Sequence, residues 1–270
     1  MGPQKVYNNL QKGLESLGVN YSHNDPNPKN GFVTVFLNKH NSIQSNLINN
    51  SFVGPNICVL PIDDRIMMEQ KYQKTIVPSK WVKNLYSKWI PAEKICTWAV
   101  GIDTDLFSDK SNNEKTNDCL IYFKRRSSEE LNIIKNFLKE KKQSFVLVEY
   151  GKYNEAQFID VITKSKYGII LDNTESQGIA IQEMMSCNLP LLVWDVTHWV
   201  DRGEKYKIKA TSIPYWDERC GINFDNGEDL EKAYNDLTEN LSNYKPREYV
   251  MENLSIEKAT NNILTIMNLL

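Results

Sequence analysis

The run Tyr167–Asp195, YGIILDNTESQGIAIQEMMSCNLPLLVWD, decides the fold. Tyr167–Leu171 and Leu189–Trp194 are short apolar stretches of the kind that form fully buried strands, and Gln177–Cys187 between them has helical spacing. Two buried strands joined by a helix make a parallel β-α-β unit. The same alternation continues upstream. A strand at Cys119–Phe123 leads to a helix from Ser127/Ser128 to about Lys142. Glu129 and Glu130 at its start and Lys139, Lys141 and Lys142 at its end suit the helix dipole. A strand at Ser144–Glu149 then passes through Gly151 into a helix over Glu155–Ser165. Four such strands joined by crossovers predict a parallel sheet covered on both faces.

Toward the N-terminus the alternation persists in shorter form. A helix is predicted over Gln4–Leu17, with Val6, Leu10, Leu14 and Leu17 as its apolar stripe and Gly18 as its stop. Strands are predicted at Phe32–Leu37, Ile57–Leu60 and Thr75–Val77, and Pro78-Ser79 opens a helix through Trp81, Leu85 and Tyr86. The polar stretch Ser108–Asn117 reads as a linker. Ser255–Leu270 reads as an amphipathic helix with Ile256, Ala259, Ile263 and Ile266 on one side. The expected architecture is α/β, with two Rossmann-like halves, parallel sheets and a reduced N-terminal half. The expected bounds are an acceptor-side domain over 1–107, a linker over 108–117, a nucleotide-binding domain over 118–245, and a helical segment over 246–270 packing back towards the first.

Composition narrows the function. With 270 residues, 41% of them hydrophobic, there is ample chain for a core, and a formal net charge of −2 argues against a dedicated nucleic-acid binder. Cys58, Cys96, Cys119, Cys187 and Cys220 are an odd set without C-x-x-C spacing, which points to reduced thiols and a cytoplasmic setting. No apolar run reaches the length of a membrane span, and the N-terminus reads as lacking a signal-peptide core. Neither a phosphate-binding G-x-x-x-x-G-K-[ST] loop nor a G-x-S-x-G elbow is present. No metal site is expected: Asp103-Thr104-Asp105 and Asp63-Asp64 read as structural, and His23, His40 and His198 lack ligand spacing.

Parallel sheets bind ligands at the carboxyl ends of their strands, which directs attention to Asn173–Gly178. Gly178 permits close backbone approach, and the free N–H groups of the first helical turn suit a phosphate. Glu175 and Glu183 are eight residues apart, about 12 Å if the segment is helical. That is roughly the reach from a sugar across a diphosphate to a ribose. The plainer reading is a dipole-favouring glutamate followed by a surface glutamate. Lys124-Arg125-Arg126, directly after a predicted strand, supplies cations for a departing diphosphate or else forms a solvated basic turn. The aromatic group Trp194, His198, Trp199, Tyr215 and Trp216 suits either a sugar cleft or interior packing.

Context favours the first reading of the glutamate pair. The run ESQGIAIQEMMSCNLPLLVWD, with its E-x7-E, resembles the signature of retaining GT-B glycosyltransferases of the GT4 type. PSKWVKNLY (Pro78–Tyr86), VGIDTDLF (Val100–Phe107), GINFDNGEDLEKAYNDL (Gly221–Leu237), LSIEKAT (Leu254–Thr260) and GPQKVYNNLQKGLESLGV (Gly2–Val19) resemble further family segments in the family's order. The resemblance covers most of the chain. It departs where the strand before the first glycine loop is missing, where one strand–helix unit between Val148 and Gly151 is missing, and where FKRRSS replaces the usual basic motif.

The resemblance implies sugar transfer from a nucleotide-diphosphate sugar to a hydroxyl of a glycan or lipid-linked acceptor, with retention and without an obligatory metal or further cofactor. It implies Glu175, Lys124 and Arg125 as catalytic residues. Donor binding would fall to Glu183, Ser176, Gln177, Gly178, Gly151, Tyr150 and Gly2, with His40 and Arg126 as secondary candidates. Nucleic acid is the least favoured acceptor, and peripheral membrane contact is compatible with the reduced half. The rival readings are a sugar-nucleotide epimerase and a partner-dependent nucleotide-sugar-binding module. Oligomeric state is not legible.

Overall fold

Residues 2–23, 25, 31–33, 51–109 and 112–269 are described by the structure, a computed structural model. They form two units, Met1–Gly101 with Ile256–Leu270, and Ile102–Ser255. In the first unit, α1 (Gly2–Ser16) precedes a four-stranded sheet of β1 (Gly31–Val33), β2 (Ser51–Val53), β3 (Lys74–Val77) and β4 (Ile95–Thr97). These strands are parallel and adjacent in chain order. Two short helices, α2 (Arg65–Glu69) and α3 (Lys80–Tyr86), lie between strands, and Asp64 caps α2 by accepting from the Met67 N–H.

The predicted strand at Ile57–Leu60 is not formed. Its place is taken by β2, whose three residues are fully buried, whereas Val59 is 64% exposed. The chain leaves the sheet at Gly54-Pro55, and Asn56 adopts a left-handed φ of 54° while its N–H bonds to the Ile76 carbonyl. Of the predicted strand Phe32–Leu37 only the start, in β1, lies within the described residues; His40 lies outside them.

The second unit holds the larger sheet, in the order β11-β8-β7-β5-β6, all parallel. Its strands are β5 (Asn117–Lys124), β6 (Phe145–Glu149), β7 (Ser165–Asp172), β8 (Leu191–Trp194) and β11 (Gly221–Phe224). Helices α4 (Ser128–Glu140), α5 (Glu155–Lys164), α6 (Ile179–Ser186), α7 (Leu230–Glu239) and α8 (Pro246–Asn253) connect or follow them. Alternating side chains divide between the two faces. Ile121, Ile169 and Leu192 form a core with Ile134 and Leu138 of α4 and Leu237 of α7. Tyr122, of opposite parity, meets Phe158 of α5 at 6.1 Å between ring centroids. Burying each such side chain stabilises the fold by about 1.5–3 kcal/mol.

Local chemistry starts the helices where the polar residues suggest. Ser127 and Glu130 form a reciprocal capping box on α4, and Asn154 and Gln157 do the same on α5. The sequence reading omitted β4, β11, α8 and an antiparallel hairpin of β9 (His198–Asp201) and β10 (Tyr206–Lys209). In β11, a Cβ on Gly221 would stand 1.9 Å from the Leu191 carbonyl oxygen, so only glycine lets this edge strand approach β8. The closing helix, α9 (Ile256–Ile266), buries Ala259, Thr260, Ile263 and Leu264, and it packs on α1. Trp98 Nε1 donates to the Ala259 carbonyl at 2.8 Å.

Candidate active site

The strand order reverses direction at β5 and β7, since β5 connects outward to β6 while the chain returns on its other side. In open α/β sheets such a switch point opens a crevice at the carboxyl ends of the strands. The two residues that end these strands are Lys124 and Asp172, and they are register partners. The Asn173 N–H donates to the Lys124 carbonyl at 3.2 Å, which keeps the two chains together past the strand ends.

Lys124 is the centre of the site. Its ammonium contacts Glu175 directly and stands 3.6 Å from Asp172 Oδ2. The three side chains are 10%, 13% and 1% exposed respectively, so solvent screens this group poorly. The ammonium also lies 4.6 Å from the centroid of the Tyr150 ring, a cation–π distance. Burial, and then the negative charge of Glu175, push the Asp172 carboxyl up to about 8 against the downward pull of Lys124.

Glu175 is placed by its backbone. Its N–H donates to the Thr211 carbonyl at 3.1 Å. Thr211 and Ser212 are in turn fixed by Asp195, the residue directly after β8. The carboxylate accepts from the Thr211 hydroxyl, from the Ser212 N–H and hydroxyl, each at 2.7 Å, and from the Val196 N–H. Asp195 was missed as a site-building residue. Its signal is an acidic side chain directly ending an apolar strand, as Asp172 is after Ile169-Ile170-Leu171.

Helix α6 begins at Ile179 with Gly178 as its N-cap at φ 76°, a left-handed conformation that a side chain would strain. Gln177 is buried and donates to Gln182 Oε1, while Gln182 Nε2 returns a bond to the Gln177 carbonyl at 2.6 Å. Ser176 is half-buried beside them. Glu183 is 4% exposed, which removes the plainer reading of it as a surface residue.

The basic run divides by role. Arg125 is exposed at φ 54° and lines an open cleft of about 600 Å³ with Ser127, Asn173, His198 and Lys207. Arg126 is locked instead. It makes a bidentate pair with Glu130, donates to the Trp194 carbonyl at 3.0 Å and the Asp172 carbonyl at 3.3 Å, and lies 5.5 Å from the Trp194 ring centroid. This is a structural clamp across the ends of β7 and β8. Arg126→Ala is accordingly expected to cost roughly 2–4 kcal/mol of stability, because two carbonyls and Glu130 lose a charged donor. Chemical denaturation checks this, and an unchanged midpoint would contradict it.

Gly151 adopts φ 82° with nothing within 4 Å of a Cβ, next to Tyr150, which is 46% exposed. Tyr153 stacks on Phe158 at 4.7 Å and serves the interior. Gly2 is the first residue of α1, a helical position rather than a loop, and belongs to the other unit. Asp103 accepts from the Leu106 N–H at 3.1 Å and so closes a turn. Of the aromatic group, Trp194 stacks on Phe224 in the core, and His198 and Trp199 belong to β9.

Two α/β units of parallel sheet, with polar chemistry gathered at a strand switch point, define a fold of the GT-B type. Solved glycosyltransferases share it. One is a TarM variant of S. aureus in complex with fondaparinux, α-GlcNAc-glycerol and UDP (14% identity, TM-score 0.55, 81% of this chain and 51% of that one). Others are the lipopolysaccharide outer core galactosyltransferase WaaB (13%, TM-score 0.53, 82% and 68%) and AviGT4 of avilamycin A biosynthesis (9%, TM-score 0.50, 99% and 89%). The chain spans about half the length of the TarM chain. No family model and no curated protein sequence matches it. Among the described residues, no helix is long and apolar enough to cross a membrane.

Proposed function

We propose that this chain is a retaining glycosyltransferase of the GT4 type that moves a sugar from a nucleotide-diphosphate donor to a hydroxyl of a glycan or lipid-linked acceptor. The observation that carries the reading is the Lys124–Glu175 contact at the switch point, directly before the N-terminus of α6. A cation there meets a diphosphate, the N–H groups of the first helical turn add to it, and Glu175 accepts from sugar hydroxyls. The resemblance to the GT4 signature and the UDP in the TarM complex support the same assignment.

Arg125 supplies a second cation from the cleft wall, and Tyr150 offers an exposed aromatic face for a base. Glu183 takes the ribose hydroxyls. The donor phosphate itself assists removal of the acceptor proton, so the chain contributes position and charge rather than a general base. Neither a metal nor a cofactor beyond the donor belongs to this scheme.

Calorimetric titration with UDP, GDP, ADP, CMP and dTDP and their sugars tests it. One nucleotide is expected to bind selectively. Glu183→Ala should weaken that nucleotide about tenfold or more, equivalent to roughly 1.4 kcal/mol, while Glu175→Ala should chiefly lower turnover with the sugar nucleotide. Failure of every nucleotide to bind would overturn the reading, and unchanged affinity in Glu183→Ala would remove its ribose role.

A further inference from the structure

Asp172 has no place in the scheme above, yet it is the most deeply buried charged group at the switch point. Its side chain is 1% exposed at the end of β7. Oδ1 accepts from the Asn173 N–H at 2.7 Å, but Oδ2 has no hydrogen-bond partner among the described residues, since Lys124 Nζ at 3.6 Å is out of reach. A buried carboxylate oxygen left in this state is costly, and such groups in folded proteins are almost always satisfied.

The charged surroundings sharpen the problem. Lys124 of β5 and Glu175 of the β7–α6 loop face the carboxyl. Tyr122 of β5 lies nearby as a neutral phenol, held well above its ordinary range by burial first. Arg126 reaches only the Asp172 backbone carbonyl and is consumed by Glu130. Two ionised carboxylates would therefore press on one ammonium in a poorly solvated site. A proton on Oδ2 resolves both difficulties: the orphan oxygen becomes a donor, and the group becomes one cation with one anion.

We propose that Asp172 is a positioning residue whose buried carboxyl is protonated and donates to Glu175. The bond fixes Glu175 and leaves Lys124 facing a single negative charge, free to exchange Glu175 for a donor diphosphate. That last consequence rests on the glycosyltransferase reading; the protonation does not.

Asp172→Asn separates the two. Asparagine keeps the shape and a donor to Glu175 but cannot ionise. The native wild type binds a proton that the unfolded chain releases from its ordinary value of 3.8, up to about 8 in the fold. Its stability is therefore lost progressively as pH rises through that window. Asp172→Asn lacks this loss. Its melting temperature is expected to lie closest to the wild type near pH 4.5 and to exceed it by a larger margin at pH 8. A variant that melts below the wild type at pH 8, or a difference that does not change with pH, overturns the proposal, because an ionised Asp172 paired with Lys124 would reverse the sign. Infrared spectra of the wild type at pH 7 should also contain a protonated carboxyl band that the variant lacks.

The second arm uses whichever of the five nucleotides binds. Wild-type affinity should fall several-fold as pH rises from 7 into the alkaline range, as ionised Asp172 reclaims Lys124, and stay level in Asp172→Asn. If no nucleotide binds, the functional reading fails while the melting curves still decide the protonation. A parallel fall in both proteins would overturn the coupling of Asp172 to Lys124.

Discussion

Lys124→Met is expected to reduce turnover with the cognate sugar nucleotide by about a thousandfold, roughly 4 kcal/mol of lost transition-state stabilisation. The methylene stem is kept, so the loss reports the ammonium. In the free protein that ammonium neutralises Glu175 and lies against Asp172 in a site about one-tenth exposed. Removing one partner of a buried ion pair leaves the other charge desolvated, and a further cost of roughly 3 kcal/mol in stability is expected. Lys124→Arg should not rescue it, because a planar guanidinium cannot occupy the space between Glu175, Asp172 and the Tyr150 ring as a compact ammonium does. Kinetics and chemical denaturation of both variants check this. Near-normal turnover in Lys124→Met would place the diphosphate elsewhere on the sheet edge.

The parts of this molecule that were legible in its sequence are those governed by periodicity. β8 and the central parts of β5 and β7, Cys119–Tyr122 and Tyr167–Leu171, are runs of consecutive buried residues with hardly a polar group among them, the usual signature of a fully buried parallel strand. The helix starts expected at Ser127/Ser128 and at Glu155 agree with the observed starts to within a residue, where Ser127 and Asn154 cap them. What was missed is short or two-sided. β2 is only Ser51-Phe52-Val53, too brief to outweigh the longer apolar run Ile57–Leu60 that follows the bend at Gly54-Pro55. The hairpin β9–β10 alternates half-buried Trp199, Asp201, Tyr206 and Ile208 with exposed Val200, Lys207 and Lys209. Its period of two was available, but the aromatic residues were weighed only as a cleft lining or as interior packing, not as an alternating pair of strands.

The site divides along a similar line. Lys124, Arg125 and Arg126 were visible as a group because charge directly after a buried strand is conspicuous. Their separate fates were not visible, because they depend on which neighbour is close in space. Glu130 is one helical turn away from Arg126 and captures it, whereas Lys124 meets Glu175 across fifty-one residues of chain. The pairing of Lys124 with Asp172 follows only from strand register, which a single sequence does not state.

Asp195→Ala is expected to be the most damaging change near the site that touches no substrate. Its carboxylate accepts four hydrogen bonds from Val196, Thr211 and Ser212, and the Thr211 carbonyl it fixes accepts from the Glu175 N–H. Bonds to a charged acceptor contribute about 1.5–3 kcal/mol each. Because the half-buried Thr211 hydroxyl can turn to water, the net loss should be roughly 3–5 kcal/mol rather than the full sum. Asp195→Asn should recover little, because Oδ1 takes three donors and Oδ2 a fourth, and an amide nitrogen in either place cannot accept. Thermal melting gives the stability term. The functional term is separable: once Thr211 is released, Glu175 loses its backbone tether, so hydrogen exchange at the Glu175 amide should accelerate well beyond that of β5. Turnover measured far below the melting temperature should fall with nucleotide affinity nearly preserved, since Asp195 holds the sugar-side carboxylate rather than Lys124. Equal losses in affinity and turnover would instead make Asp195 a support for the whole strand edge.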